Sequence, residues 1–475
     1  MTEKPSITVA GTGFVGLVTA AIFADRAFPT TALDVVEEKI KKVNQGEPFF
    51  YEPQLPALLK RVVLEKRTLQ GSTDIIHSIQ KSDITFICVG TPSNPDGSCN
   101  LQYVKEISSQ IGKALGKKKE YHLIVAKSTI EPSTTRKTIK PIIELESGKR
   151  AGEDFGLCMN PEFLREGQSI YDSLYPDRVI IGEYDEKSGK LLDNLFTTLY
   201  DTTQDAFTEY WQEVYGKPLV TPPICHYSLE SAEAIKYANN SFLATKISFI
   251  NEFANICEKI EGIDIQEVAE GIGLDHRISK HFLQAGAGFG GSCFPKDVKA
   301  IIHFAKKRGY QPALFESVLT VNDFQAKHMV DLAEAFLEDL ENRTVVLLGL
   351  SFKPNTDDMR NAPSLKIIDY LRDKEASIVV YDPEAMEEAQ KEEWLGDTVT
   401  YASSIYDALE EADACLLITE WPIFKELRPK DFLKMKTPVL IDGRRIYDHE
   451  EMVEAGITFA GIGLGLPQTK KPAYK

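Results

Sequence analysis

Short, mostly apolar runs alternate with longer stretches of helical spacing at both ends of the chain. In the first third the runs are residues 6–10, Thr31–Leu33, Ile84–Val89, Leu123–Ala126 and Phe155–Met159. In the last third they are Thr344–Leu348, Ile378–Tyr381, Ala414–Ile418 and Val439–Ile441. Runs this short and this apolar fit strands covered on both faces, as in a parallel sheet. Between the two sets, Leu229–Ile260 keeps a helical pattern with no internal glycine or proline. Ala234, Ala238 and Ala244 alternate there with Phe242 and Leu243, which predicts a buried helix whose polar residues need partners. The whole pattern predicts an α/β protein: two doubly wound Rossmann-like domains joined by a long central helix. The expected divisions are a nucleotide-binding domain at 1–202, a linker or inserted excursion at 203–227, a central helical domain at 228–325, a second Rossmann-like domain at 326–467, and a disordered tail at 468–475. The excursion is expected to be irregular because Pro218, Pro222 and Pro223 cluster at its end.

Composition narrows the function. A net charge of −17 argues against a nucleic-acid or membrane partner, though local N–H cradles on an acidic protein still hold anionic small molecules. No apolar run is long enough to cross a bilayer, and the N-terminus has no apolar signal core. The seven cysteines are scattered and none forms a C-x-x-C pair, so a reducing cytoplasm is expected and no zinc site. The eight histidines form no H-x-x-x-H pair, and no metal is inferred.

The candidate chemistry sits where strands end. Gly11-Thr12-Gly13-Phe14-Val15-Gly16 follows the first run and opens a helix, and the second run ends at Asp34. In this βαβ setting the glycines admit a pyrophosphate, and the acid accepts from the ribose hydroxyls. A 2′-phosphate would meet that carboxylate, so NAD is favoured over NADP. Thr91 and Thr129 follow later strands and are candidates for cofactor contact, or else for turn chemistry. Lys353, Arg360 and Arg444 lie in strand-end loops of the second half and are candidates for holding phosphate or sugar. Lys236 and Asn240 are four apart on the long helix, hence on one face. The most telling stretch is Gly286-Ala-Gly-Phe-Gly-Gly-Ser-Cys-Phe-Pro-Lys-Asp297. Four glycines in six residues bare the backbone, and Pro295 suits the first turn of a helix. Cys293 would then lie at a helix N-terminus beside Lys296, and both features favour thiolate.

Two nucleotide-binding halves, a long helix and a cysteine in a glycine-rich loop together resemble the nucleotide-sugar dehydrogenases, and within them the UDP-glucose 6-dehydrogenases. The motifs that carry the resemblance are Gly11–Gly16, Tyr51-Glu-Pro53, Lys127-Ser-Thr129, Asn160-Pro-Glu-Phe-Leu-Arg-Glu-Gly167, the Asn240–Glu252 stretch and Gly288–Asp297. The resemblance implies oxidation of the C6 alcohol of a UDP-sugar to a carboxylate in two steps with two NAD⁺, through a thiohemiacetal and a thioester on Cys293. It implies that Lys236 and Asn240 donate to the oxyanion, that Asp297 holds or deprotonates a water, and that Glu162 and Thr129 help to position it. Cofactor contacts are implied for Thr12, Phe14, Val15, Lys39, Thr91, Glu166, Lys296 and Arg360. Substrate contacts are implied for Glu162, Phe163, Leu164, Arg165, Glu166, Lys236, Asn240, Phe282, Leu283, Gln284, Ala285, Gly286, Gly290, Phe352, Lys353 and Arg444. Arg277 is expected to reach in from a partner subunit of a homodimer or larger homo-oligomer. GDP-mannose and UDP-N-acetylmannosamine remain open as substrates, as does an inactive nucleotide-sugar binder, although a binder needs no nucleophile. Thr129-Ile-Glu-Pro132 departs from the family's usual Thr-Val-Pro, and residues 203–226 exceed the usual connection.

Overall fold

The computed structural model describes residues 4–465; the expected disorder of 468–475 lies outside them. The chain separates into two compact units, residues 1–239 and 240–475. The division falls between Asn239 and Asn240, inside the long helix.

The first unit is built on a sheet of eight strands: β1 (Ile7–Ala10), β2 (Thr30–Leu33), β3 (Leu69–Ser72), β4 (Ile84–Ile87), β5 (His122–Ala126), β6 (Phe155–Met159), β7 (Val179–Glu183) and β8 (Ile224–Ser228). Their order is β3-β2-β1-β4-β5-β6-β7-β8. All pairs are parallel except β6 with β7. The order reverses between β1 and β4, the crevice where open α/β sheets bind ligands. Ile7 and Val9 join one hydrophobic layer and Ala10 the other, so each face of the sheet has its own core.

The second unit repeats the plan with β9 (Thr344–Leu348), β10 (Ser377–Tyr381), β11 (Val399–Tyr401), β12 (Ala414–Leu417), β13 (Val439–Asp442) and β14 (Thr458–Gly461), ordered β11-β10-β9-β12-β13-β14 and wholly parallel. Val345 and Leu347 pack on one side of this sheet and Val346 and Leu348 on the other, which is the period-two rule of a strand buried on both faces. Asp382 closes β10 much as Asp34 closes β2, but it is fully enclosed. Its two oxygens accept from the backbone N–H groups of Leu350, Ser351, Glu384 and Ala385, from Ser351 Oγ and from Trp421 Nε1.

Four helices carry or brace the candidate site residues: α1 (Phe14–Asp25), α2 (Leu229–Cys257), α3 (Phe294–Lys306) and α4 (Ala313–Leu337). The expectation that α2 is buried holds for Lys236 and Asn240 but not for Phe242, which is 65% exposed.

The segment 203–227, expected to be an irregular linker or inserted excursion, is instead largely regular. It contains a helix, Ala206–Tyr215, and the edge strand β8. Asp205 caps the helix by accepting from Thr208 N, and its carboxylate also takes Arg26 at 2.7 Å. Trp211, fully buried, donates its indole N–H to Asp25, which is also paired with Arg61 and Lys66. The prolines lie between helix and strand, and β8 is half polar, with one edge that has no neighbouring strand among the described residues.

Candidate active site

In the first unit the glycine loop is shaped by contact on one side and left open on the other. Gly11 has φ +96°, and a Cβ there would lie 2.7 Å from the Cys88 carbonyl oxygen. A Cβ on Gly13 would meet nothing within 4 Å. Gly13 is also the N-cap of α1, whose first turn holds no acid and no side-chain cap. Free N–H groups at an open, uncapped helix start make an anion site. Asp34 accepts from Thr12 N at 2.8 Å and Thr12 Oγ1 at 2.7 Å on one oxygen, and from Val36 N at 3.1 Å on the other. Burial pushes the Asp34 carboxyl up, but the Thr12 and Val36 bonds and the Lys39 charge outweigh it and hold it below its usual range. The residues present therefore fit a dinucleotide with an unphosphorylated ribose. Thr91 and Thr129 are brought together, Thr91 Oγ1 donating to the Thr129 carbonyl at 2.9 Å.

The loop after β6 carries a buried ion pair. Lys236 Nζ meets Glu162 Oε1 at 2.8 Å, both side chains under a tenth exposed. Glu162 Oε2 accepts from Leu164 N at 2.7 Å. Burial raises the Glu162 pKa, and the charge and hydrogen bond of Lys236 bring it below the ordinary value. Phe163 packs under two cations, with the Arg178 guanidinium 4.0 Å and the Lys236 ammonium 5.5 Å from its ring centre. Arg165, expected against the substrate, instead turns outward onto Asp172 at 2.6 Å. Glu166 lies half-buried on the same loop.

In the second unit Cys293 is the N-cap of α3, with Pro295 in the first turn. Ser292 Oγ lies 3.5 Å from its sulfur. One turn on, the fully buried Asp297 accepts from Asn240 Nδ2 and from Lys296 Nζ, each at 2.6 Å. Lys296, expected beside the cofactor, is thus an anchor for Asp297 in this structure. The stretch expected to line the substrate folds against strand-end loops of its own unit. Ala287 N donates to the Gly443 carbonyl at 3.2 Å, and a Cβ on Gly286 would lie 3.4 Å from Arg444 Nη1. A Cβ on Gly291, where φ is +80°, would lie 2.8 Å from the Phe352 ring. On the same stretch Leu283 and Ala285 are buried, Gln284 is exposed and Phe282 has φ +64°. A Cβ on Gly290 would press on the Asn361 carbonyl. Lys353 sits 5.4 Å over the Phe352 ring. Two further expected residues are exposed and paired locally, Arg277 with Asp275 at 2.5 Å and Arg360 with Asp358 at 2.8 Å.

Residues 5–200 match the NAD binding domain of the UDP-glucose/GDP-mannose dehydrogenase family, residues 230–324 its central domain and residues 346–449 its UDP binding domain. The chain belongs to the UDP-glucose/GDP-mannose dehydrogenase family. It is similar to the UDP-glucose 6-dehydrogenase TuaD of Bacillus subtilis, at 41% identity over 473 residues, 99% of this chain and 95% of that protein. A UDP-glucose dehydrogenase structure from Pyrobaculum islandicum matches at 35% identity with a TM-score of 0.85, covering 97% of this chain and 98% of that one. A UDP-D-ManNAc dehydrogenase structure from Pyrococcus horikoshii matches at 27% identity and TM-score 0.82, covering 97% and 99%. The chain is an NAD-dependent dehydrogenase.

Several residues of this dehydrogenase carry weight that its motifs did not assign. Glu52, buried within the Tyr51-Glu-Pro53 motif, accepts from Gly167 N and Ser169 N, both at 2.8 Å, and so pins the far end of the Glu162 loop. Lys127 donates to Asn160 Oδ1 at 2.8 Å, and burial lowers its pKa. Glu233, enclosed on α2, accepts from Ser133 N at 2.5 Å and Thr135 N at 2.7 Å, holding the segment just after Thr129. Burial prevails over those bonds and pushes its carboxyl up to about 7. For Lys127 the available signal was a charged residue at the end of an apolar run.

Proposed function

We propose that the dehydrogenase oxidises the C6 alcohol of UDP-glucose to the carboxylate of UDP-glucuronate through a covalent intermediate on Cys293. The observation that carries this reading is the placement of Cys293 at the N-cap of α3, one turn from a buried Asp297 held by Asn240 and Lys296. A helix N-terminus favours the thiolate. Bound NAD⁺ supplies the hydride acceptor, one molecule for the alcohol and a second for the thiohemiacetal. The chain's own residues do the rest. As hydride leaves C6, the hydroxyl proton passes to solvent through a water held by Asp297, and Lys236 and Asn240 donate to the oxygen at C6 as negative charge gathers there. The Cys293 thiolate adds to the aldehyde carbon, forming a C–S bond and an alkoxide. Once the second oxidation has left a thioester, Asp297 takes a proton from water and the water oxygen attacks the thioester carbon. The C–S bond breaks, and its electron pair returns to Cys293 as thiolate. Glu162 and Thr129 orient that water.

A homodimer or larger homo-oligomer belongs to this reading. Phe242, Phe249, Phe253 and Ile256 are exposed along α2 and Ile260 just beyond it, a helical seam of the kind two copies bury against each other. Arg277 would enter the site of the second copy. All seven cysteines are unbridged, which supports a reducing, cytoplasmic setting.

The test is NAD⁺ reduction with UDP-glucose, GDP-mannose and UDP-N-acetylmannosamine in parallel. Two NADH per UDP-glucose supports the reading, and turnover of another sugar without UDP-glucose turnover overturns it. Cys293→Ala should abolish acid formation while sugar binding persists.

A further inference from the structure

The glycine loop that leads to Cys293 is gripped by side-chain amides that no step of the chemistry uses. Asn322, on α4 and almost fully buried, accepts from Phe289 N at 2.7 Å and donates to the Phe289 carbonyl at 3.0 Å. One side chain thus takes both backbone groups of one residue, as a neighbouring strand would. Gln325 donates to the Gly286 carbonyl at 3.0 Å, and Asn251 on α2 accepts from Gly286 N at 2.8 Å. The grip also explains a glycine: Gly288 has φ +100°, and a Cβ there would lie 2.8 Å from Asn322 Oδ1. Phe289 is four residues before Cys293 and packs edge-on against Phe294 at 5.9 Å between ring centres, so the clamped residue also touches the start of α3.

We propose that Asn322 is the positioning residue of the cysteine loop, fixing where the Cys293 thiol stands at the N-terminus of α3. The proposal rests on Cys293 being the nucleophile of the proposed oxidation. It separates from plain packing because a carboxyl is the same shape as an amide. In Asn322→Asp a protonated carboxyl can still donate to the Phe289 carbonyl and accept from its N–H. An ionised one has only acceptors and faces the carbonyl with one of them. Asn322→Ala lacks the donor at every pH.

The test follows the reaction of Cys293 with 2,2′-dithiodipyridine, taken as the signal missing from a Cys293→Ala control, and expresses each variant's rate as a ratio to wild type across pH. Asn322→Ala should be slower by about fivefold or more throughout, as its thiol leaves the helix start. Asn322→Asp should match wild type at low pH and fall toward the alanine variant once the new carboxyl ionises. A pH-independent ratio for Asn322→Asp, or wild-type rates for both variants, would overturn the proposal. Should Asn322→Ala not fold, the pH course of Asn322→Asp decides alone. If wild type fails to turn over UDP-glucose while the thiol ratios behave as stated, the clamp stands and the substrate assignment falls.

Discussion

Asn240 donates its side-chain amide to the Asp297 carboxylate at 2.6 Å, so a residue of the long helix and the first-turn acid of α3 form one rigid element. With Lys296 on the other oxygen, Asp297 is oriented before any ligand binds. Asp297→Asn keeps the shape but removes the charge and sets an amide against the Asn240 amide. Turnover should fall by about 10²–10⁴. Sugar affinity, read by calorimetry, should change by less than about tenfold. Near wild-type turnover would remove Asp297 from the chemistry.

The Glu162–Lys236 pair makes a prediction about stability. Lys236→Ala leaves a buried carboxylate without its cation, a loss of about 3–5 kcal/mol. Lys236→Ala with Glu162→Gln should recover most of that stability and none of the activity. Urea unfolding followed by the fluorescence of Trp211, buried in the same unit, is the measurement. Equal stability of the single and double variants would mean that the pair is not coupled.

Glu233 gives a pH dependence with a definite sign. Its pKa rises from 4.5 to about 7 on folding. A raised carboxyl pKa contributes stability in full below the unfolded value and loses it as pH rises through the folded one. Wild type should therefore lose stability progressively between about pH 4.5 and 7 relative to Glu233→Gln, which lacks this titration. Parallel urea midpoints for the two proteins across that window would rule it out.

Asp34 would serve two ends, since the carboxylate expected to meet the cofactor also holds Thr12. Asp34→Ala should raise the KM for NAD⁺ by about tenfold, close to 1.4 kcal/mol. It should also narrow the preference for NAD⁺ over NADP⁺, because the like charge facing a 2′-phosphate is gone. An unchanged NAD⁺/NADP⁺ ratio would show that the carboxylate does not choose the cofactor.

The sheet strands were legible where they are buried on both faces: Phe155–Met159 and Thr344–Leu348 match residue for residue. β8 was not, because an edge strand reading Ile-Cys-His-Tyr-Ser lacks the apolar run, and the helix before it was hidden behind the prolines that separate the two. Cys293 and its helix start were legible from glycine, proline and spacing. The amides of Asn251, Asn322 and Gln325 were not. A polar residue inside an apolar helix announces that it needs a partner, but the partner is a backbone group tens of residues away. Arg277 and Arg360 each pair with an acid two residues before it, a local bond that the motifs do not reveal.

The six donors around Asp382 leave it no lone pair to offer a ribose, so the second sheet keeps the dinucleotide fold with that grip closed. The proposed four-electron oxidation would then have one berth for a two-electron carrier. The spent carrier must depart and a fresh one arrive while the sugar is half oxidised. On that proposal the enzyme needs a hold on the aldehyde that outlasts the exchange, and a carbon–sulfur bond lasts where hydrogen bonds to a small hydrated carbonyl would let it drift away.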